Sequence, residues 1–237
     1  MRLIDLFDQL TYGELSQLSM GGVDELGIQI EHYPKIITHI NLALTEVYKR
    51  FPLNSGEVEV QMVDGIQTYI LSSDYAVTNT ASTKPNKYIV DTEIEPFEDD
   101  VLRVEKVIDE EGKVLYLNDT QEAWSVFTPA YNKIQVPYSD SANTVFVTYR
   151  ADHKKIPKDL TEEDIAAYEV DVPLSHLEPV LLYVAGRIHT AMSTVEGVNE
   201  GSVYMARFEA SCNKITDLNL FNNDNTTNTK LITRGFV

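Results

Sequence analysis

The period of the apolar residues changes twice along this chain, and the change limits which folds it can adopt. Near both ends, apolar residues recur every three to four positions, as in amphipathic helices. Between about 56 and 150 they alternate with polar residues, as in half-buried strands. The segment EVEVQMV, for example, alternates Val58, Val60 and Met62 with polar side chains. We therefore expect helices, then strands, then helices again.

The first helical part contains the segment HYPKIITHINLALTEVYKRF, whose apolar positions form one stripe. Pro34 suits a first helical turn, and Pro52 ends the helix. Upstream, Thr11 and Glu14 have the spacing of a capping box. This spacing predicts a separate short helix that reaches about Met20.

Helical signals return after the alternating region. The segment DLTEEDIAAYE predicts one or two turns capped by Thr161 and Asp164. Ser175 and Glu178 form another capping box, which predicts the start of a long helix. Its buried stripe comprises residues at helical spacing: Leu177, Leu181, Val184, Ile188 and Met192.

A second long helix is predicted from about Ser202, ending at Asn222 and Asn223. Its buried face is expected to comprise Met205, Phe208, Cys212, Ile215 and Leu218. The connecting segment STVEGVNEG is short enough for an antiparallel hairpin.

The predicted fold class is α+β: an antiparallel helical bundle or hairpin body with an inserted antiparallel β-sandwich or barrel. An extended C-terminal tail completes the chain. The expected boundaries are 1–55 and 151–222 for the body, with the hairpin at 175–222, 56–150 for the insertion, and 223–237 for the tail. Within the insertion, 74–100 is expected to be a long loop.

Composition excludes several classes of protein. The formal charge is −18, from 37 acidic and 19 basic residues, which argues against a nucleic-acid binder. The single cysteine, Cys212, excludes an internal disulfide and a cysteine-based zinc site. No apolar run is long enough to suggest a membrane span. The start MRLIDLFDQL mixes acids with apolar residues, so we expect no secretory signal and synthesis in a reducing cytoplasm.

No catalytic, cofactor or metal site is predicted. None of the five histidines has helical metal-site spacing, and we interpret His189 and Cys212 as core residues. The acidic segments EPFEDD, DEEG and TEEDIAAYEVDV could supply paired carboxylates for glycoside hydrolysis. Chance clusters are expected in so acidic a chain, and the sequence therefore favours a protein that is not an enzyme.

The end of the chain, NNDNTTNTKLITRGFV, joins an Asn/Thr-rich stretch to an apolar and basic terminus. Asn and Thr favour flexible, locally bonded backbone over helix. Such a segment is typical of a tether with an anchor that becomes ordered on binding a partner. The predicted anchor comprises Lys230, Leu231, Ile232, Arg234, Phe236 and Val237.

The order of elements resembles the head-to-tail adaptor family of short-tailed bacteriophages, also called the connector or tail tubular protein A family. The stretches that carry the resemblance are YPKIITHINLALTEVYKRFP, VPLSHLEPVLLYVAGRIHTAMS and YMARFEASCNKITDLNL. These are patterns of apolar and helix-capping residues without a catalytic signature. The chain departs from the family in the large insertion at 56–150 and in the loop at 74–100.

The resemblance implies a virion protein at the junction between portal and tail, assembled in the host cytoplasm. Members form a homo-oligomeric ring, usually of twelve copies, in which the helical hairpins surround a DNA channel. The C-terminal tail would grip the portal protein, and the insertion would face fibres or downstream tail proteins. An acidic channel wall would let DNA pass without specific binding. Leu231, Ile232 and Phe236 would each contribute roughly 1.5–3 kcal/mol to the free energy of docking if fully buried. Arg234 could pair with a portal carboxylate.

Two other readings that involve no enzyme remain open. The chain could be another neck or tail-completion ring, which would use 223–237 to bind the tail. It could also carry a β-sandwich that recognises carbohydrate. That reading predicts an exposed aromatic platform, for which Trp124, Tyr131 and Tyr138 are the best candidates.

Overall fold

A computed structural model describes residues 1–16, 28, 30–138, 140–192 and 194–220. It divides into two compact units. The helical unit comprises Met1–Pro52 and Lys155–Val237, as far as these are described, and the β unit comprises Leu53–Lys154. Helices and antiparallel sheets both occur, so the broad α-plus-antiparallel-β prediction is confirmed. The tail at 223–237 lies outside the described residues.

The helical unit begins with α1, Leu3–Tyr12, which buries Leu3, Leu6, Phe7 and Leu10 at helical spacing. The Asp5 carboxylate caps this helix by accepting from the backbone N–H of Arg2 at 3.3 Å. The predicted capping box at Thr11 and Glu14 is wrong, because the chain is already helical through Tyr12. Residues 17–20 of that predicted helix lie outside the described part.

The helix predicted after Pro34 is confirmed as α2, Tyr33–Arg50, with Pro34 in its first turn. Its apolar stripe is buried along the whole length: Ile36, Ile37, Ile40, Ala43, Leu44, Val47 and Tyr48. The Tyr48 hydroxyl donates to the Asp171 carbonyl at 2.5 Å. Asn41 holds Ile156 with two bonds of 2.9 Å between its amide and the Ile156 backbone. These bonds tie the first part of the unit to the part that follows the strands.

The short helix α3, Glu162–Ala167, is capped as predicted: the Asp164 N–H donates to the Thr161 hydroxyl at 3.2 Å. The chain beyond it runs beside the N-terminus. Leu3 N–H donates to the Tyr168 carbonyl at 2.8 Å, and Val170 N–H donates to the Met1 carbonyl at 2.7 Å.

The two long helices are α4, Leu177–Ala191, and α5, Val195–Asp217. The predicted box at Ser175 is wrong, because 174–176 form a one-turn 3-10 helix and the Ser175 hydroxyl lies 3.0 Å from Nδ1 of His176. The predicted start of α5 at Ser202 is also wrong. The Thr194 hydroxyl caps α5 by accepting from the Gly197 N–H at 3.0 Å, so most of the expected connection is helical.

The predicted buried stripes of α4 and α5 are confirmed for six residues: Leu181, Val184, Ile188, Phe208, Cys212 and Ile215. Met192 and Leu218 are 48% and 57% exposed, because each follows the last residue of its helix, where the chain leaves the core. Met205 is only half-buried. In the described residues, no helix is long and apolar enough to cross a membrane.

The β unit contains two antiparallel sheets. One has the order β3-β1-β7-β4 and the other β2-β6-β5. The strands are β1 Ser55–Gln61, β2 Thr68–Ile70, β3 Ile89–Val90, β4 Val101–Asp109, β5 Phe127–Ala130, β6 Lys133–Gln135 and β7 Thr144–Ala151. Both sheets contribute to one core, through Val60 and Val147 on one side and Tyr69 and Ile134 on the other.

A closed barrel, one of the two predicted forms of the insertion, is wrong. Closure needs a continuous ladder of strand hydrogen bonds. After β4, the predicted strand KVLYL instead makes only isolated bridges, Ile108 with Val114 and Leu117 with Val126. The two sheets therefore keep free edges in the described residues.

The segment 74–100 is more structured than the long loop that was predicted. It contains β3 and is fixed by carboxylates that accept backbone N–H bonds. Asp91 accepts from the N–H groups of Thr78 and Phe97, both at 3.0 Å. Asp99 accepts from the Ser73 N–H at 2.7 Å. Several of the acidic residues in this region thus have a structural use.

Candidate functional site

The predicted anchor, comprising Lys230, Leu231, Ile232, Arg234, Phe236 and Val237, lies outside the described residues. The described part of the predicted body includes the hairpin of α4 and α5. This hairpin is the best-defined candidate for an interaction surface. Its geometry follows from three glycines, Gly186, Gly197 and Gly201.

The glycines let α4 and α5 approach closely. A Cβ atom added to Gly201 would lie 2.9 Å from the Gly186 carbonyl oxygen and 3.0 Å from the Thr190 nitrogen. One added to Gly197 would lie 2.8 Å from the His189 carbonyl oxygen. These distances are shorter than side chains tolerate, so the glycines set the spacing of the hairpin despite their low helix propensity.

The inner side of the hairpin is closed by aromatic and polar contacts. The His189 ring stacks on Tyr204 at 5.1 Å, and its Nδ1 lies 2.8 Å from a Glu200 carboxylate oxygen. Tyr183 meets Phe208 edge-on at 5.2 Å. The Arg50 guanidinium lies 4.9 Å over Phe208 and donates to Glu209 at 2.7 Å. These contacts connect α5 to α4 and α2.

The opposite side of α5 is exposed. Within this helix only six residues are buried: Gly197, Gly201, Phe208, Ser211, Cys212 and Ile215. The far side carries a row of residues at helical spacing, which we call the uncharged face: Val195, Asn199, Ser202, Val203, Ala206, Ala210 and Asn213. Val195 is 80% exposed and Val203 58%. The face is about 27 Å long at about 1.5 Å per residue.

Such a face is unusual in this chain, of which 24% of residues are charged. An exposed helix face normally carries charged side chains, and contiguous exposed apolar surface marks interaction sites. The uncharged face can therefore pack against another helix without burying an unpaired charge.

Sequence reasoning missed this face because it considered only the buried side of the helix and treated 193–201, which contains Val195 and Asn199, as a loop. One signal could have revealed it. The seven uncharged residues fall at helical spacing on the side of the helix opposite Phe208 and Cys212.

Burial shifts the pKa values of two histidines and of the cysteine. His176 and His189 are buried, and burial lowers the pKa of His176. Burial also lowers the pKa of His39, with help from the nearby charges of Arg187 and Lys35. Cys212 is buried, and this raises the pKa of its thiol. A thiol of that kind is a poor nucleophile.

Where they are described, the acidic segments do not form a cluster of metal ligands. Among the described residues, no group of three or more His, Cys, Asp or Glu side chains could hold a metal ion. Burial raises the pKa of the Asp100 carboxyl group, against the opposing hydrogen bond from Tyr149.

The three aromatic candidates of the β unit are all exposed, but they do not form one platform. Trp124 and Tyr138 lie edge to face, with ring centroids 5.1 Å apart. Both line one cavity, whereas Tyr131 lines a different groove with Arg103 and Glu105. The structure therefore brings two of the three residues together.

The chain was compared with protein-family models and with curated proteins, and neither comparison finds a match.

Proposed function

We propose that this chain is a virion structural protein: a head-to-tail adaptor that assembles as a ring beneath a portal and forms part of the DNA exit channel. The observation that carries the proposal is the uncharged face of α5. A ring subunit needs a surface that packs against the next copy, and this face has the length, exposure and lack of charge for helix packing.

The rest of the chain is consistent with that role. A ring uses two different surfaces on each subunit, and Tyr12 and Leu174, which are 71% and 81% exposed, are candidates for the second. The charge of −18 suits a channel wall that repels DNA. The chain has strands between two helical parts, which is the order of elements on which the resemblance to adaptors rests.

In this proposal the tail at 223–237 docks on the portal protein, and the β unit meets fibres or downstream tail proteins. A ring, of twelve copies in the family it resembles, would multiply weak individual contacts into a stable attachment. No cofactor, metal or catalytic step is part of the proposal.

Co-sedimentation with the portal ring of the same virus tests the proposal. The full chain is expected to bind in many copies, and a chain truncated after Asn222 is expected not to bind. Ala206→Glu places a charge on the uncharged face and should reduce the number of bound copies. Ala166→Glu makes the same change at an exposed position of α3 and serves as the matched control.

The outcomes separate the parts of the proposal. If the full chain does not bind, the portal assignment is wrong, and a tail-completion ring becomes the better reading. If the truncated chain binds equally well, the adaptor role stands but the anchor is elsewhere. If Ala206→Glu and Ala166→Glu assemble alike, the uncharged face is not the subunit contact.

A further inference from the structure

The β unit contains a cavity of about 330 Å³ that the adaptor role does not use. Its lining includes Trp124, Tyr138, Asn143 and the acidic residues Asp109, Glu110 and Glu111. Its volume is near the lower end of the range for small-molecule pockets, roughly 300–1,000 Å³. A pocket of this kind combines apolar walls with a few polar groups that orient a ligand.

The segments around the cavity are fixed by hydrogen bonds. The Ser125 hydroxyl, next to Trp124, accepts from the Asp119 N–H at 2.9 Å and donates to the Tyr116 carbonyl at 3.1 Å. On the other side, the Asn143 amide donates to the Tyr138 hydroxyl at 3.2 Å. The Asn143 bond fixes the Tyr138 hydroxyl, and the Ser125 bonds fix the backbone beside Trp124, which reduces the entropy lost on binding.

The acidic side of the cavity is also fixed. The Asp109 carboxylate accepts from the N–H groups of Glu111 at 3.0 Å and Lys113 at 2.8 Å. Gly112 has φ 81°, a conformation that favours glycine and allows the tight turn. This turn holds three carboxylates beside one ammonium group, so the local charge is negative.

The aromatic pair explains which ligand suits the cavity. Trp124 and Tyr138 are 61% and 45% exposed, so they contribute little to the core. Their planes meet at 82°, and the edge of one ring therefore covers part of the other ring's face. The exposed part of each ring remains available for stacking against a ligand.

We propose that this cavity binds an uncharged pyranose saccharide. The apolar C–H face of a sugar ring would stack on the exposed aromatic surface, since the negative face of an aromatic ring attracts C–H groups. The sugar hydroxyls would donate to the carboxylates of Glu110 and Glu111 and pair with the Asn143 amide. The negative charge disfavours uronic acids, sialic acids and phosphates.

The protein carries its own probe for this site. Trp124 is its only tryptophan, so intrinsic fluorescence reports directly on the cavity. The full chain would be titrated with maltopentaose, cellopentaose and triacetylchitotriose as uncharged ligands. Trigalacturonate and choline chloride would test an anion and a cation.

At least one uncharged oligosaccharide is expected to cause a saturable shift of the Trp124 emission. Tyr138→Ala should weaken that association by about tenfold or more. Tyr131→Ala removes a more exposed tyrosine ring that lies outside the cavity, and should leave the affinity unchanged. Trp124→Ala should abolish binding by calorimetry, and the circular dichroism of each variant checks that it is folded.

Three results would overturn the proposal. The first is no shift with any of the uncharged ligands up to roughly 10 mM, a concentration that would detect even weak sites. The second is stronger binding of trigalacturonate or choline than of the uncharged sugars. The third is an equal loss of affinity in Tyr131→Ala and Tyr138→Ala. None of these results bears on portal binding, so the two proposals fail separately.

Discussion

The helical unit and the β unit differ in whether their core residues come from one continuous segment of the chain or from two. In the β unit, the first and last strands, β1 and β7, pair along their whole length within one continuous segment. In the helical unit, α1 and α2 are bonded to residues that follow the insertion, such as Ile156 and Tyr168. The β unit therefore contains all of its core partners in one segment, whereas the helical unit closes only when two distant segments meet.

The two units also leave different surfaces uncovered. α5 of the helical unit exposes a row of small, uncharged side chains that suits another helix. The β unit exposes acids and aromatic rings around a cavity. Our two proposals assign assembly to the helices and ligand recognition to the strands. The four predictions below test the physical basis of this difference, from the largest expected effect to the smallest.

The largest effect is expected from cutting the chain at the unit boundaries. A fragment of residues 53–154 should fold alone and unfold cooperatively in urea, because its core partners are all present. A fragment of residues 1–52 should not fold, because α1 and α2 would expose their buried stripes. Circular dichroism during urea titration measures both. A cooperative transition in the 1–52 fragment would contradict the comparison.

Gly201→Ala should destabilise the whole chain by about 2 kcal/mol, because a Cβ atom has no room between α4 and α5. Gly65→Ala is the matched control in the β unit: nothing lies within 4 Å of its added Cβ, but its φ of 79° is strained for alanine. Gly65→Ala should lower the free energy of unfolding by about 1 kcal/mol. Urea denaturation compares the two. A larger cost for Gly65→Ala would show that the hairpin is not tightly packed.

Tyr88→Phe should lower the free energy of unfolding of the β unit by about 1–2 kcal/mol, because it leaves two backbone groups without a partner. The Tyr88 hydroxyl accepts from the Ile70 N–H at 2.8 Å and donates to the Ile70 carbonyl at 3.1 Å. Tyr116→Phe is the control, since Tyr116 is exposed and should tolerate the change. Equal stability of the two variants would mean that the buried hydroxyl bonds contribute nothing net.

The smallest effect is expected from lowering the pH. Burial lowers the pKa of His176 below its ordinary value of about 6.5, so the unfolded chain binds this proton more readily than the folded one. The stability of the helical unit should be constant above that value and fall as the pH drops below it, by at most about 1.4 kcal/mol per pH unit for this group. His176→Gln should reduce the slope in thermal unfolding between pH 7 and pH 5. An unchanged slope would show that His176 does not cause the pH dependence of stability.

Much of the secondary structure could be predicted because local patterns decide it. The stripe of α2, with Pro34 at its start, needs no distant contact to be recognised. The alternation in β1 and β7 likewise indicates one buried face on each strand. The cap at Thr161 satisfies backbone groups only three residues away.

The failures occurred where a distant contact overrides a local signal. Gly197 and Gly201 are typical of a loop, yet both are helical because α4 requires their lack of a side chain. Thr11 and Glu14 have the spacing of a helix start, but burial of Leu6 and Leu10 places that stretch within and just after α1. Free energy gained by packing exceeded the small local preferences in both cases.

The sequence by itself determined that helical segments flank a region of strands, and that the surface is strongly acidic. These properties follow from the period and composition of the chain. Only the tertiary structure decided that Trp124 meets Tyr138 and that Tyr131 lies apart from them. The reason is that contacts between residues far apart in sequence depend on how the elements pack, and no local pattern encodes that.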